Sequence, residues 1–223
     1  MRADQLPAFI ASPPHAAGNA EVIGVGGAPT VASLLWAYRH GVFPWPAEGY
    51  PLLWFCPPMR AILDFDELYV PPRLARLKRN SPLTFTIDRA FNQVIRACQL
   101  AKRPNQAGTW ITEEMLRGYI AFHEKGYAHS IEAWDPSGAL VGGLYGVSID
   151  GVFAGESMFH SSANTSKLAL LHLIDHLRGR GLDWMDIQMT TPHMKVLGAQ
   201  EIKRRDFLAR LEATQARGLT LFP

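Results

Sequence analysis

Gly155-Glu156-Ser157-Met158-Phe159-His160-Ser161-Ser162-Ala163-Asn164-Thr165-Ser166-Lys167, preceded by Gly142-Gly143-Leu144-Tyr145-Gly146-Val147, decides the fold of this chain. The earlier run reads as a glycine-rich strand. Asp150-Gly151 is a two-residue signal for a tight turn between antiparallel strands. Val152 to Phe159 then returns as the second strand, and the polar run after it opens a helix. Glu156 falls near the end of that strand, beside Ser157, Met158 and Phe159. An acid expected to be buried among apolar neighbours needs a partner, because burying an unpaired charge is costly. The hairpin is therefore the first place to look for chemistry.

Outward from the hairpin, His129–Trp134 and Leu140–Ser148 alternate like strands, so three successive strands form a meander with Val152–Phe159. Asn164 or Thr165 caps a helix running through Leu177, and Gly179 closes it. Trp184–Met189 reads as another strand, followed by short amphipathic helices around His193–Leu197 and Asp206–Ala216. On the N-terminal side, Thr112 caps a helix over Glu114–Gly126, and Asp88–Ala101 places Phe91, Val94, Ile95 and Cys98 on one helical face. Pro71-Pro72 open a basic helix, Arg73–Arg79, and Leu83–Ile87 alternates like a strand. Residues 1–27 read as an Ala-, Pro- and Gly-rich tail. Thr30 caps a helix over Val31–Arg39, Val42–Pro46 is a proline-stiffened loop, and Leu52–Phe55 and Arg60–Leu63 are short strands. This predicts a small N-terminal module over residues 1–62 and a larger domain over 63–223. The class is α+β, with a mostly antiparallel sheet flanked by helices.

The chain has 223 residues, enough for a substantial core. With 48% hydrophobic and 19% charged residues it is ordinary globular material, which excludes a disordered or collagen-like chain. A net charge of +2 is too small to indicate a nucleic-acid partner by itself. Cys56 and Cys98 make neither a disulfide framework nor a metal site. No signal peptide or membrane span is legible, so a cytoplasmic protein without a membrane partner is expected. His172 and His176 are four apart on one helix, but lack the Glu of a zinc helix, so no metal is expected.

Candidate chemistry begins with Asp186 and Gln188, which strand alternation puts on one face, with Met185, Ile187 and Met189 on the other. A carboxylate and an amide so placed can orient and deprotonate an amine, or hydrogen-bond a neighbouring loop. Glu156 is either a catalytic acid or a structural one satisfied by backbone N–H groups. The helix start at Asn164–Lys167, including Ser166, caps the helix or receives an anion. Trp45, Trp54 and Trp110 lie near loops, where indoles pack modules together or stack on nucleobases. Arg73, Arg76, Lys78 and Arg79 form a basic cluster suited to solvent or to a phosphate backbone.

From about Gly24 to Arg210 these residues resemble the leucyl/phenylalanyl-tRNA–protein transferases. The likeness shows in Ala37-Tyr38-Arg39-His40-Gly41-Val42-Phe43-Pro44-Trp45, Gly108-Thr109-Trp110-Ile111 and Ala128-His129-Ser130-Ile131-Glu132. It continues through Leu140–Val147, Gly155–Phe159, Ser166-Lys167, Asp186 with Gln188, and Leu197-Gly198-Ala199. The resemblance implies a small N-terminal domain and a GNAT-like C-terminal domain. It implies transfer of Leu or Phe, and less readily Met, from Leu-tRNA and Phe-tRNA to proteins with N-terminal Arg or Lys, by a monomer. The ester is already activated, so no cofactor is expected. By resemblance Asp186 polarises Gln188, which orients the attacking amine, with Asp186 as direct base the variant. Glu156 completes the catalytic set. Leu144, Phe153, Met158 and Leu170 are expected to line an amino-acid pocket, Trp45 and Trp110 to meet the terminal adenosine, and Lys78 and Arg79 to meet the tRNA. Trp54-Phe55-Cys56-Pro57-Pro58-Met59-Arg60 stands where Trp-Trp-Ser-Pro-Asp-Pro-Arg is usual, and Ile187 replaces a Cys.

Two other classes compete. An acyl-CoA N-acetyltransferase would share the implied fold, but its pyrophosphate loop needs glycine, and His160–Ser166 has none. An inactive tRNA- or degron-binding module is the non-enzymatic alternative.

Overall fold

The computed structural model of the protein describes residues 6–101 and 109–222. Two sheets organise the chain. A small one contains β1 (Val22–Val25), β2 (Phe43–Trp45) and β3 (Leu53–Phe55), in the order β1-β3-β2. Helix α1 (Val31–Arg39) stands beside it, and the Thr30 hydroxyl accepts the Ser33 N–H as its N-cap.

The large sheet has seven strands: β4 (Met59–Asp64), β5 (Thr84–Ile87), β6 (Ala128–Trp134), β7 (Leu140–Ile149), β8 (Val152–His160), β9 (Trp184–Gln188) and β10 (Gln200–Lys203). Their order is β10-β4-β9-β8-β7-β6-β5. Every neighbouring pair among the described residues is antiparallel except β8 with β9. The helices are α2 (Pro72–Asn80), α3 (Phe91–Leu100), α4 (Glu113–Glu124), α5 (Thr165–Gly179), α6 (Pro192–Val196) and α7 (Arg204–Gln215). The predicted α+β class and mostly antiparallel sheet are observed.

Alternation along β7 divides the interior. Leu144 faces one core with β6, α2, α5 and α7. Tyr145, Val147 and Ile149 face the other, with the small sheet, α1, α3 and α4. Helix α5 shows why its sequence is helical: Leu168, Leu170, Leu171, Leu173, Ile174 and Leu177 are all buried. Each such side chain contributes roughly 1.5–3 kcal/mol on burial.

The β7–β8 hairpin closes as expected through Asp150 and Gly151, with φ of 50° and 78°. Both central residues lie in the left-handed region, as a two-residue turn with the sheet's own twist requires. At Gly146 a side chain has no room, because a Cβ would sit 2.4 Å from the Ala154 carbonyl oxygen.

Several expectations differ from the structure. β1 lies within the stretch read as a tail, β2 within the proline-stiffened loop, and β10 was not anticipated. β4 runs across residue 62, and its partners β9 and β10 both belong to the large sheet. The N-terminal elements also share one continuous core with α3, α4, β7 and β8. Asn164 takes a left-handed conformation at φ 68° and makes no side-chain cap. The Thr165 hydroxyl instead donates to Val141 O, which ties the start of α5 to β7.

Candidate active site

The pairing of β8 with β9 is brief: Ala154 opposes Asp186, and no further register pair follows. Each strand is irregular at that point. β8 inserts an extra residue against β7, since Tyr145 pairs with Ser157 and Gly146 with Gly155, leaving Glu156 as the bulge. β9 does the same against β4, since Ala61 pairs with Gln188 and Ile62 with Asp186, leaving Ile187 over. Bulges re-aim side chains and increase local twist. Here they accompany a gap between the strands, lined by Gly155–Met158 on one side and Ile187–Met189 on the other.

That gap is a cavity of about 390 Å³. Its apolar wall includes Leu144, Met158, Leu170, Met185, Ile187 and Met194. Trp45 and Trp110 stand at its side, stacked at 5.3 Å between ring centroids and 15° between planes. The polar wall includes Glu156 and Gln188.

Glu156 is half-buried and hydrogen-bonded twice. Its Oε1 accepts Gln188 Nε2–H at 2.9 Å, and its Oε2 accepts the Tyr119 hydroxyl at 3.1 Å. Tyr119 in turn shares a hydrogen bond with the Tyr38 hydroxyl. Burial pushes the Glu156 carboxyl up to about 7, against the hydrogen bonds from Tyr38 and Tyr119 and the charge of Arg60, while the Asp186 charge adds to the rise. Burial, then the Glu156 charge, holds both phenols well above their ordinary range, so they remain hydrogen-bond donors.

Asp186 lies outside the cavity wall. Its Oδ1 accepts Arg60 Nε–H at 2.8 Å and its Oδ2 accepts Arg60 Nη2–H at 2.7 Å, a bidentate pair. Oδ1 also accepts the backbone N–H of Gln188 at 2.9 Å. Arg60 is 1% exposed and lies between the rings of Phe43 and Phe207, 4.6 Å from each centroid. Gln188 carries a φ of 55°, a conformation that costs a non-glycine residue about 1 kcal/mol or more and persists only where its surroundings impose it.

Trp45, Trp110, Leu144, Glu156, Met158, Leu170 and Gln188, all expected at the site, line one cavity. Phe153 does not; it is fully buried in the core, 5.8 Å from the ring of Phe222. Ser166 is buried in the first turn of α5 and is likewise outside the wall. The expected division of β9 into two faces fails at its end. Met185, Ile187 and Met189 line the cavity together with Gln188, while Asp186 does not. The bulge at Ile187 and the left-handed Gln188 break the alternation. Asp186 contacts Gln188 through the backbone N–H rather than the side-chain amide.

Arg73, Arg76, Lys78 and Arg79 are exposed on α2, and Lys78 is paired with Asp175 of α5. His172 stacks on Phe85 and His176 bonds the Leu221 carbonyl, both as packing groups. Sequence reasoning missed Arg60, Tyr38 and Tyr119 as site residues. The available signal was Arg60 itself, a lone cation opening the apolar run Ala61-Ile62-Leu63.

The family model described as leucyl/phenylalanyl-tRNA protein transferase matches residues 62–212, and that of its N-terminal domain matches 27–58. A leucyl/phenylalanyl-tRNA–protein transferase of Maridesulfovibrio salexigens is 44% identical over 86% of this chain and 80% of its own. One from Xanthomonas euvesicatoria is 46% identical over 86% of this chain and 76% of its own. Among solved structures, L-PGS from Bacillus licheniformis aligns with a TM-score of 0.40 at 15% identity, covering 59% of this chain and 46% of that one. The two family matches and the level of identity lead to one conclusion: this chain belongs to the leucyl/phenylalanyl-tRNA–protein transferase family and is an aminoacyltransferase.

Proposed function

We propose that the enzyme moves Leu or Phe, and less readily Met, from charged tRNA to the α-amine of proteins beginning with Arg or Lys, which marks them for degradation. One observation supports this reading above the others: the Glu156–Gln188 hydrogen bond lies in the polar wall of a mostly apolar cavity. An apolar chamber suits an aliphatic or aromatic side chain. The Arg and Lys preference of the acceptor rests on the family likeness.

The chemistry follows from the two substrates. The aminoacyl ester needs no further activation. The acceptor α-amine has a reference pKa near ~8 and is mostly protonated at neutral pH. Gln188 orients it, and Glu156, with a carboxyl near 7, takes its proton. The neutral nitrogen attacks the ester carbonyl carbon and the new C–N bond forms. The bond to the ribose oxygen breaks, and the second amine proton leaves with that oxygen. Asp186 acts through the Gln188 backbone. Trp45 and Trp110 stack with the terminal adenosine, and the exposed cations of α2 meet tRNA phosphates.

The test is transfer of radiolabelled Leu, Phe and Met from charged tRNA to peptides starting with Arg, Lys, Asp or Ala. Transfer of Leu and Phe to the Arg and Lys peptides is expected. Transfer to Asp or Ala peptides instead would overturn the acceptor assignment, and no transfer at all would overturn the reading.

A further inference from the structure

A guanidinium that is 1% exposed has few structural reasons to exist. Arg60 gives one nitrogen pair to Asp186, presents its two faces to Phe43 and Phe207, and leaves Nη1 with no hydrogen-bond partner among the described residues. A buried cation kept at the cost of an unsatisfied donor calls for an explanation. What it acts on is two bonds from the cavity: Asp186 accepts the Gln188 N–H, and the Gln188 side chain donates to Glu156. The fork admits one orientation of the carboxylate, and that carboxylate secures a backbone that Gln188 would not adopt on its own.

We propose that Arg60 is a positioning residue for aminoacyl transfer: through Asp186 it fixes the Gln188 backbone, and so keeps Gln188 and Glu156 aimed into the cavity. This rests on the reading of that pair as the centre of transfer. Arg60 has a second effect by its charge. The titratable and charged groups around this chain of contacts are Tyr38 of α1, Cys56 and Arg60 at β3–β4, Tyr119 of α4, Glu156 of β8, Asp186 of β9 and Arg204 of α7. Two of them are carboxylates on adjacent strands. Arg60 offsets the nearer one, so that Glu156 is not forced to remain protonated by its neighbour.

The experiment compares Arg60→Gln and Arg60→Lys with the wild type in the transfer assay across pH. The Gln variant loses the charge and the fork. It is expected to lose about 10²-fold in kcat, because the misplaced amide no longer presents the amine. KM for charged tRNA should stay within about threefold, since that contact is made elsewhere. The ascending limb of the pH profile should move to higher pH. The Lys variant keeps the charge, so its limb should move less although kcat still falls. A purely structural role would reduce the active fraction equally at every pH and leave the limb in place. A folded Arg60→Gln enzyme with wild-type kcat and an unmoved limb overturns the proposal. Should Arg60 variants not fold, Phe207→Leu decides. Loosening one side of the sandwich is expected to lower kcat about tenfold at unchanged KM and shift the limb upward, and no change in either overturns the proposal. A wild-type enzyme without transfer activity would instead overturn the functional reading, which separates the two failures.

Discussion

Glu132 and Glu156 are two acids on neighbouring parts of one sheet, and they are treated oppositely. Glu132, in the regular meander, is fully buried and accepts from the hydroxyls of Thr86 and Ser130 and from the backbone N–H groups of Arg89 and Ala90. Four donors meet its two oxygens, and it does not line the cavity. Glu156, where β8 and β9 separate, accepts from Tyr119 and Gln188, lies beside the Tyr38 hydroxyl, and borders open space. The first acid is consumed by structure. The second has its carboxyl pushed up to about 7 by burial and lines the cavity. Burial alone therefore does not distinguish the two acids; what surrounds their oxygens does.

The sharpest way to break that contrast is to remove each acid in turn. Glu156→Gln should lower single-turnover transfer by roughly 10²–10⁴-fold, the usual range for a general base, while the fold survives. Full activity in that variant would reduce Glu156 to a second Glu132. Glu132→Ala should instead cost about 3 kcal/mol of stability, chiefly from backbone N–H groups left unsatisfied, read by thermal or denaturant unfolding. Transfer per folded molecule should be unchanged. A loss of turnover without loss of stability would reverse the assignment.

Proton linkage sharpens the comparison further. The folded-state carboxyl of Glu156 lies near 7, above its ordinary value of 4.5. Below 4.5 both folded and unfolded chains are protonated there, and the stabilisation is fully present. Between 4.5 and 7 the unfolded chain releases its proton first, so stability falls as pH rises, and above 7 the loss is complete. The melting temperature of Glu156→Gln relative to wild type should therefore climb across that window and then level off. Transfer activity, which needs the ionised form, should rise through the same upper limit. A flat difference in melting temperature would show that the burial of Glu156 is relieved in solution.

The smallest expected effect concerns α2, away from both acids. Arg76→Ala should weaken binding to every tRNA about equally and reduce the salt slope by about one. Discrimination between tRNAs lost with that single exposed side chain would show that α2 does more than hold phosphates.

Much of this was legible locally. Asp150-Gly151 fixed the β7–β8 hairpin, Thr30 and Thr112 capped α1 and α4, and alternation marked β6 and β7, because each signal depends on residues near in sequence. β1 and β2 were not legible. They are short, carry Gly24 and Pro44, and are strands only because β3 lies between them. β10 is a polar edge, Gln200-Glu201-Ile202-Lys203, paired only to β4. At the site, the residue types Glu156, Asp186 and Gln188 were readable, but their arrangement was not. Alternation predicts one face for Asp186 and Gln188. A bulge at Ile187 and a left-handed Gln188 separate them, and Asp186 itself is held by an arginine 126 positions away.

The parallel indoles of Trp45 and Trp110 have one further consequence. Their centroids lie 5.3 Å apart, whereas a flat ring sandwiched between them would require about 7 Å, twice the usual stacking distance of aromatic planes. A nucleobase thus has either to wedge the pair open or to cover its outer side. Two indoles this close couple their electronic transitions, so the cavity wall carries its own optical reporter, one that a base wedging the pair open would change and a base covering its outer side would leave coupled.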